Sequence, residues 1–191
     1  MILSKVFKEL AFSILDKSKF RGFHLFRDLR FYASQFNLPV ETIFDVGANI
    51  GQTSKELRRY FPDSSIHAFE PINSTFEILK ENLRDDKKII LNNAAMGAEE
   101  KETKIFLQDE SLINSLLNEV NLEGSSVASN QTQIIHILKG DKYFTTKNID
   151  YCFLLKTDTE GYDLDVLKGF EKNRLSWVYG GNVAIAEFSP S

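Results

Sequence analysis

Three observations predict an α/β fold with a mostly parallel sheet from residue 40 onward. The apolar runs "TIFDV", "SIHAFE", "KIILNNAAM", "YCFLLKTD" and "NVAIAEF" are separated by stretches with helical spacing. Strands that alternate with helices build parallel sheets with helices on both faces. Several of the runs are apolar throughout, as expected of strands buried on both sides. The first run passes directly into a loop with two glycines and an asparagine, "GANIG".

Taken in order, the chain begins with a helical extension over residues 1–39. Leu3, Phe7, Leu10 and Ile14 share a helical face, and a second helix places Leu25, Leu29, Tyr32 and Phe36 on one side. "NLP" at 37–39 ends it, because a residue before proline leaves the helical region. The α/β domain occupies 40–191. "SKELRRYF" is the helix after the first strand, and "NSTFEILKENL" the helix after the second, with Phe76, Leu79 and Leu83 on one face. Ser74 and Glu77 have capping-box spacing. "GYDLDVLKGF" follows the fourth strand, with Asp163 and Asp165 suited to a helix N-terminus. The alternation is interrupted around 100–140. There "KETKIFLQ" and "QTQIIHIL" read as an inserted hairpin around a polar middle.

Composition narrows the function classes. The chain has 191 residues, 42% hydrophobic and 26% charged, which suits a domain with one core. A net charge of −4 gives no basic field for nucleic acid. One cysteine, Cys152, makes no internal disulfide and fits a reducing, cytoplasmic setting. His24, His67 and His136 lack metal-ligand spacing. No run approaches the roughly 20 apolar residues of a membrane span.

Ligands of open α/β sheets sit beyond the carboxyl ends of the strands, where strand order reverses. Gly47 and Gly51 provide the backbone freedom such a loop needs, and Asn49 tolerates the left-handed region. The spacing is neither G-x-G-x-x-G nor G-x-x-x-x-G-K-[ST], so a dinucleotide or P-loop site is disfavoured. The form is D-x-G-x-N-x-G, and Asp45 ahead of the loop suits a ligand with a positive group. Glu70, 25 positions later at the end of the second strand, stands where a carboxylate accepts ribose hydroxyls. "NNAAMG" ends the third strand with small residues that leave room for a flat ring.

In this order, "DVGANIGQ", "AFEP", "NNAAMG", "LLKTDTEGYDLDVLKGF" and "IAEF" resemble the FkbM-type S-adenosylmethionine-dependent methyltransferases, over about residues 41–188. The resemblance implies a Rossmann-like sheet and S-adenosylmethionine as cofactor. It places Asp45, Gly47, Asn49 and Gly51 in the cofactor loop, Glu70 on the ribose, and Asn93 and Ala94 beside the adenine. Ser115, in "NSL", is a further candidate near the site. The family usually has a Leu-Asp pair before the fourth strand. Here the segment is "LKGDKYF", with Asp141 displaced, and no role follows from it. The family sheet closes with two more strands, one antiparallel, beyond the one "VAIAEF" resembles. The chain stops at Ser191, so a short protein or a fragment is expected, with an exposed sheet edge that favours homo-oligomer pairing.

Methyl transfer to oxygen is an in-line displacement that needs a placed acceptor and, where required, a base. Asp158 and Glu160 end the fourth strand and Glu187 ends the fifth. Alternation along an extended chain would turn Asp158 and Glu160 to one side, with Lys156 free to pair with either. Their competing roles are general base, magnesium ligand, or caps of the helix that starts near Gly161. Two functions stay open: O-methylation of a sugar or small-metabolite hydroxyl, and a methyltransferase-like domain that binds a nucleoside or a partner without turnover.

Overall fold

The computed structural model describes residues 25–107, 132–170, 175–180 and 186–187. The chain divides into two compact units, Met1–Leu38 and Pro39–Ser191. In the first, helix α1 spans Leu25–Gln35 and buries Phe26, Leu29 and Ala33. This stripe is rotated from the expected one, since Phe36 is exposed. The helix ends before the proline takes effect: Asn37 adopts φ 50, and Leu38 N donates back to Ala33 O at 2.9 Å. A left-handed residue followed by such a bond is a helix-closing motif. The first predicted helix lies outside the described residues.

The second unit has the predicted α/β architecture. In chain order it contains β1 (Thr42–Val46), α2 (Gln52–Tyr60), β2 (Ser65–Phe69), α3 (Asn73–Leu83), β3 (Ile89–Asn92), β4 (Ala95–Gly97), β5 (Lys101–Phe106), β6 (Thr132–Lys139), α4 (Gly140–Lys147), β7 (Cys152–Thr157), α5 (Asp163–Lys168), β8 (Leu175–Gly180) and β9 (Ala186–Glu187). The main sheet has the order β3-β2-β1-β7-β8-β9. Its first five strands pair in parallel, and β9 is antiparallel to β8. Strand order reverses between β1 and β7, so a crevice is expected at their carboxyl ends.

Side-chain alternation distributes β1 between two layers. Phe44 and Val46 join the core cluster formed with Tyr143, Phe144 and Phe170. The Phe44 ring lies 5.3–5.6 Å from those of Tyr143 and Phe144 on α4. Asp45 faces the opposite side, where Ser54 of α2 donates to it. Helices therefore cover both faces, and β1 is buried at all five positions.

Three expectations need correction, and the hairpin is present as expected. The third run does not continue as one strand: β3 ends at Asn92, and Ala95–Gly97 joins a separate three-stranded sheet, β4-β6-β5. The predicted hairpin is the β5–β6 pair of that sheet, antiparallel from Lys101–Ile137 to Phe106–Thr132. The fifth parallel strand is "LSWVYG", not "VAIAEF"; the latter contributes the antiparallel β9. Ser74 does not cap α3, because the helix already starts at Asn73 and its N-cap, Ile72, makes no side-chain cap bond.

Candidate functional site

The loop after β1 is bonded to both neighbouring strand ends. Gly47 N and Ala48 N donate to Phe69 O at 3.1 and 2.9 Å, and Asp158 N donates to Val46 O at 3.0 Å. Gly47 has φ 73, and a Cβ there would meet the Asp158 carbonyl oxygen at 2.1 Å. Glycine is thus required by the packing of one loop on another within the chain. Gly51, at φ 93, precedes α2 and sits against Leu79 and Leu83 of α3. Asn49 takes the left-handed conformation expected of it, φ 50, and its Oδ1 accepts from Ile50 N at 2.7 Å.

Glu70 is the node between the loop after β1 and the start of α3. It is 6% exposed, and its two oxygens accept from Asn49 N at 3.1 Å and Ile72 N at 2.9 Å. One carboxylate therefore holds the loop after β1 and the entry to α3 together. Through Ile72 N it satisfies the N-cap amide of α3 from outside the helix, in place of the expected capping box. A carboxylate has about four lone-pair sites, so each oxygen retains one for a further donor. Burial pushes its carboxyl above the usual glutamate value; the amides of Ile72 and Asn49 and the charge of Lys156 pull it back, and Asp45 adds to the rise. The Asn93 side chain donates to Glu70 O at 3.0 Å and Pro71 O at 3.3 Å, and Ala94 is buried beside it. Gln133 of β6 braces the same turn, donating to Pro71 O at 2.8 Å and accepting from Asn73 N at 3.0 Å.

Asp45 is fully buried and is already charge-paired. Lys156 Nζ lies 2.9 Å from its Oδ1, and Ser54 Oγ donates to its Oδ2 at 2.6 Å. The lysine's aligned hydrogen bond goes instead to Gly47 O at 3.0 Å. Lys156 thus faces Asp45 across the β1–β7 ladder, where the two are register partners, rather than either acid that follows β7. The signal that could have identified it is a lysine in an otherwise apolar strand, since lysine is almost never buried without a partner.

The acids expected on the acceptor side lie on a turn. β7 ends at Thr157, and Glu160 and Gly161 both adopt positive φ, 52 and 100. The strand does not persist, so the alternation that would align Asp158 with Glu160 does not operate. Both side chains are exposed. No side chain caps α5 at its N-cap, Tyr162; Asp163 instead closes the turn, its Oδ1 accepting from Thr159 N at 3.2 Å and Thr159 Oγ1 at 2.8 Å. Glu187 ends β9, but β9 runs against the other strands: Glu187 pairs with Trp177, three residues before β8 ends at Gly180, and so is not at the carboxyl edge of the parallel strands. Ser115 lies outside the described residues. Among the described residues, no group of three or more His, Cys, Asp or Glu side chains is placed to hold a metal ion. No described helix is long and apolar enough to cross a membrane.

Asp45, one residue before the end of β1, and Gly47, Asn49, Gly51, Glu70, Asn93, Ala94, Asp158 and Glu160, which come after strand ends, therefore gather at the carboxyl ends of four adjacent strands, β3-β2-β1-β7. This is the construction of an α/β domain that takes its ligand at the strand-order reversal. The chain belongs to the FkbM methyltransferase domain family, whose profile matches residues 45–186. It is 26% identical over 167 residues to "Methyltransferase 1" of Beauveria bassiana (strain ARSEF 2860), covering 75% of this chain and 63% of that protein. It is 27% identical over 190 residues to "Methyltransferase sdnD" of Sordaria araneosa, covering 81% of this chain and 70% of that protein. The chain thus spans less than two thirds of the length of the first of these relatives.

Proposed function

We propose that the chain is an S-adenosylmethionine-dependent methyltransferase that acts on a hydroxyl of a sugar or other small metabolite. The observation that carries the cofactor assignment is Glu70. It is a buried carboxylate at the end of β2, held by two amides and with acceptor capacity left on both oxygens. Paired ribose hydroxyls match that capacity. The Gly47–Gly51 loop supplies backbone on one side, and Asn93 and Ala94 supply the wall for the adenine. The small residues at that wall and the fixed turn at Glu70–Asn73 suit a nucleoside without further rearrangement.

The bound cofactor supplies an electrophilic methyl group. The chain's part in the transfer is to orient the acceptor hydroxyl, exclude water and receive a proton. Asp158 and Glu160 follow β7, next to the glycine loop, and are assigned to the acceptor. Asp158 is the preferred base because its backbone is fixed by the bond to Val46 O. Glu187 receives no part in this scheme.

Calorimetry of the chain with S-adenosylmethionine and S-adenosylhomocysteine tests the cofactor assignment, and methyl transfer from labelled cofactor to a panel of sugars and hydroxylated metabolites tests the reaction. Binding of both ligands together with labelled product supports the proposal. Binding with no transfer to any acceptor turns it toward a non-catalytic nucleoside-binding domain, and absence of binding sinks it.

A further inference from the structure

Lys156 lies on a strand buried at all six positions, and its side chain is 5% exposed. Its charge partner, Asp45, is 0% exposed. Asp45 Oδ1 receives no aligned hydrogen bond, so the attraction across 2.9 Å acts as charge on charge, while the directed bond of the ammonium grips the Gly47 carbonyl. A buried ion pair is a poor source of stability. Well-packed apolar residues in its place are often neutral or better, because both ions must be stripped of water. The pair also sits directly under the loop assigned to the cofactor. Stability is therefore a weak account of it, and its hold on the Gly47 carbonyl puts its charges within reach of that loop.

We infer that Lys156 is a specificity-determining positioning residue: by neutralising Asp45 and holding the Gly47 carbonyl, it sets the preference of the site between a sulfonium and a neutral thioether. The inference rests on the S-adenosylmethionine reading. The two ligands share the same nucleoside and amino-acid parts and differ by one methyl group and one positive charge. With the pair intact, its charges largely cancel at the loop, and Glu70 is left as the neighbouring carboxylate. Loss of Lys156 leaves an anion under the loop and favours the sulfonium. Loss of Asp45 leaves a cation and favours the thioether. Both effects decline slowly with distance in a medium of effective dielectric about 20. Balance matters for turnover, because a site that holds the demethylated product too tightly inhibits itself.

The test is the ratio of dissociation constants for S-adenosylmethionine and S-adenosylhomocysteine, measured by calorimetry on the full chain. Four forms are compared: the parent, Asp45→Asn, Lys156→Met and the double variant. Asp45→Asn should shift the ratio about fivefold toward the thioether, about 1 kcal/mol. Lys156→Met should shift it in the opposite direction, and the double variant should return to within about twofold of the parent. Asp45→Asn preserves the side-chain shape and an oxygen for Ser54, so it carries the test even if Lys156→Met does not fold. Equal weakening of both ligands in Asp45→Asn, with the ratio unchanged, would mean a purely structural pair and overturn the inference. A parent that binds neither ligand removes the cofactor reading and this inference with it, an outcome distinct from an unchanged ratio.

Discussion

The two loops that meet at the β1–β7 junction are built differently. The one after β1 is bonded through Gly47, Ala48 and Asn49 to the end of β2, and through Lys156 to β7. The one after β7 is fixed at its start by Asp158 N and closed by Asp163, and it exposes the side chains of Asp158 and Glu160. One side is rigid before any ligand arrives; the other offers carboxylates to solvent. That difference suits a fixed cofactor and a variable acceptor, since preorganisation reduces the cost of binding only for a ligand whose shape does not change.

The largest expected effect would break the rigid side at its tightest point. Gly47→Ala places a Cβ 2.1 Å from the Asp158 carbonyl oxygen, in a left-handed conformation that alanine rarely adopts. Backbone must move in both loops, so a loss of about 3 kcal/mol or more is expected in urea unfolding. A variant of parental stability would show that the two loops are not in register as described.

A second perturbation reaches the same side from beneath. Tyr143 has one proton and donates it to Asn92 Oδ1, whose amide nitrogen is committed to Ala68 O and Ile90 O. The proton between His67 Nδ1 and Tyr143 Oη must therefore come from the histidine, which fixes its neutral tautomer. Burial first, and the Lys147 charge second, lower its pKa from 6.5 to about 4. A depressed histidine contributes stability that is full above the unfolded value and lost as pH falls, here between 6.5 and about 4. The contribution is about 3 kcal/mol. His67→Gln should remove it, so the parent should lose more stability than the variant between pH 7 and 4.5. Parallel pH profiles would mean that His67 binds its proton equally well folded and unfolded.

Glu70→Ala sharpens the contrast in binding. It removes the acceptor for two amides and the one proposed for the ribose, and should weaken S-adenosylmethionine by about 1.5–3 kcal/mol. Affinity equal to the parent's would take the ribose away from Glu70. The smallest effect belongs to the open side. Asp158→Asn should leave cofactor affinity within about threefold, under 1 kcal/mol, while slowing transfer about a hundredfold if the group is the base. A large drop in cofactor affinity would erase the division between the two loops.

The elements that could be read from sequence are those whose signal is local. "TIFDV" and "SIHAF" are runs buried at every position but Ser65, and Gly47, Gly51 and Asn49 adopt the positive φ that their residue types favour. "LSWVYG" escaped because serine, tyrosine and glycine dilute its apolar signal, whereas "VAIAEF" reads as a central parallel strand although its described residues, Ala186–Glu187, pair antiparallel with β8. The site divides along the same line. Its loop was legible, but its electrostatics were not, because Lys156 and Asp45 meet only through strand register and Glu70 reaches Asn49 across two loops. Turn geometry was equally hidden: nothing local in "TDTEG" announces that Glu160 turns left-handed and ends the alternation.

Cys152 is the chain's single cysteine, and it is 0% exposed at the start of β7. Its thiol donates to Leu154 O at 3.2 Å, and burial pushes its pKa well up. Thiolate is the reactive form, so a thiol reagent cannot modify the native sheet at this position. Labelling must wait for β7 to leave its neighbours β1 and β8. The rate at which a chromogenic disulfide is consumed then becomes a clock for the opening of the sheet, without any engineered probe. Because β7 carries both Lys156 and the turn with the two exposed carboxylates, a ligand that closes the crevice should slow that clock.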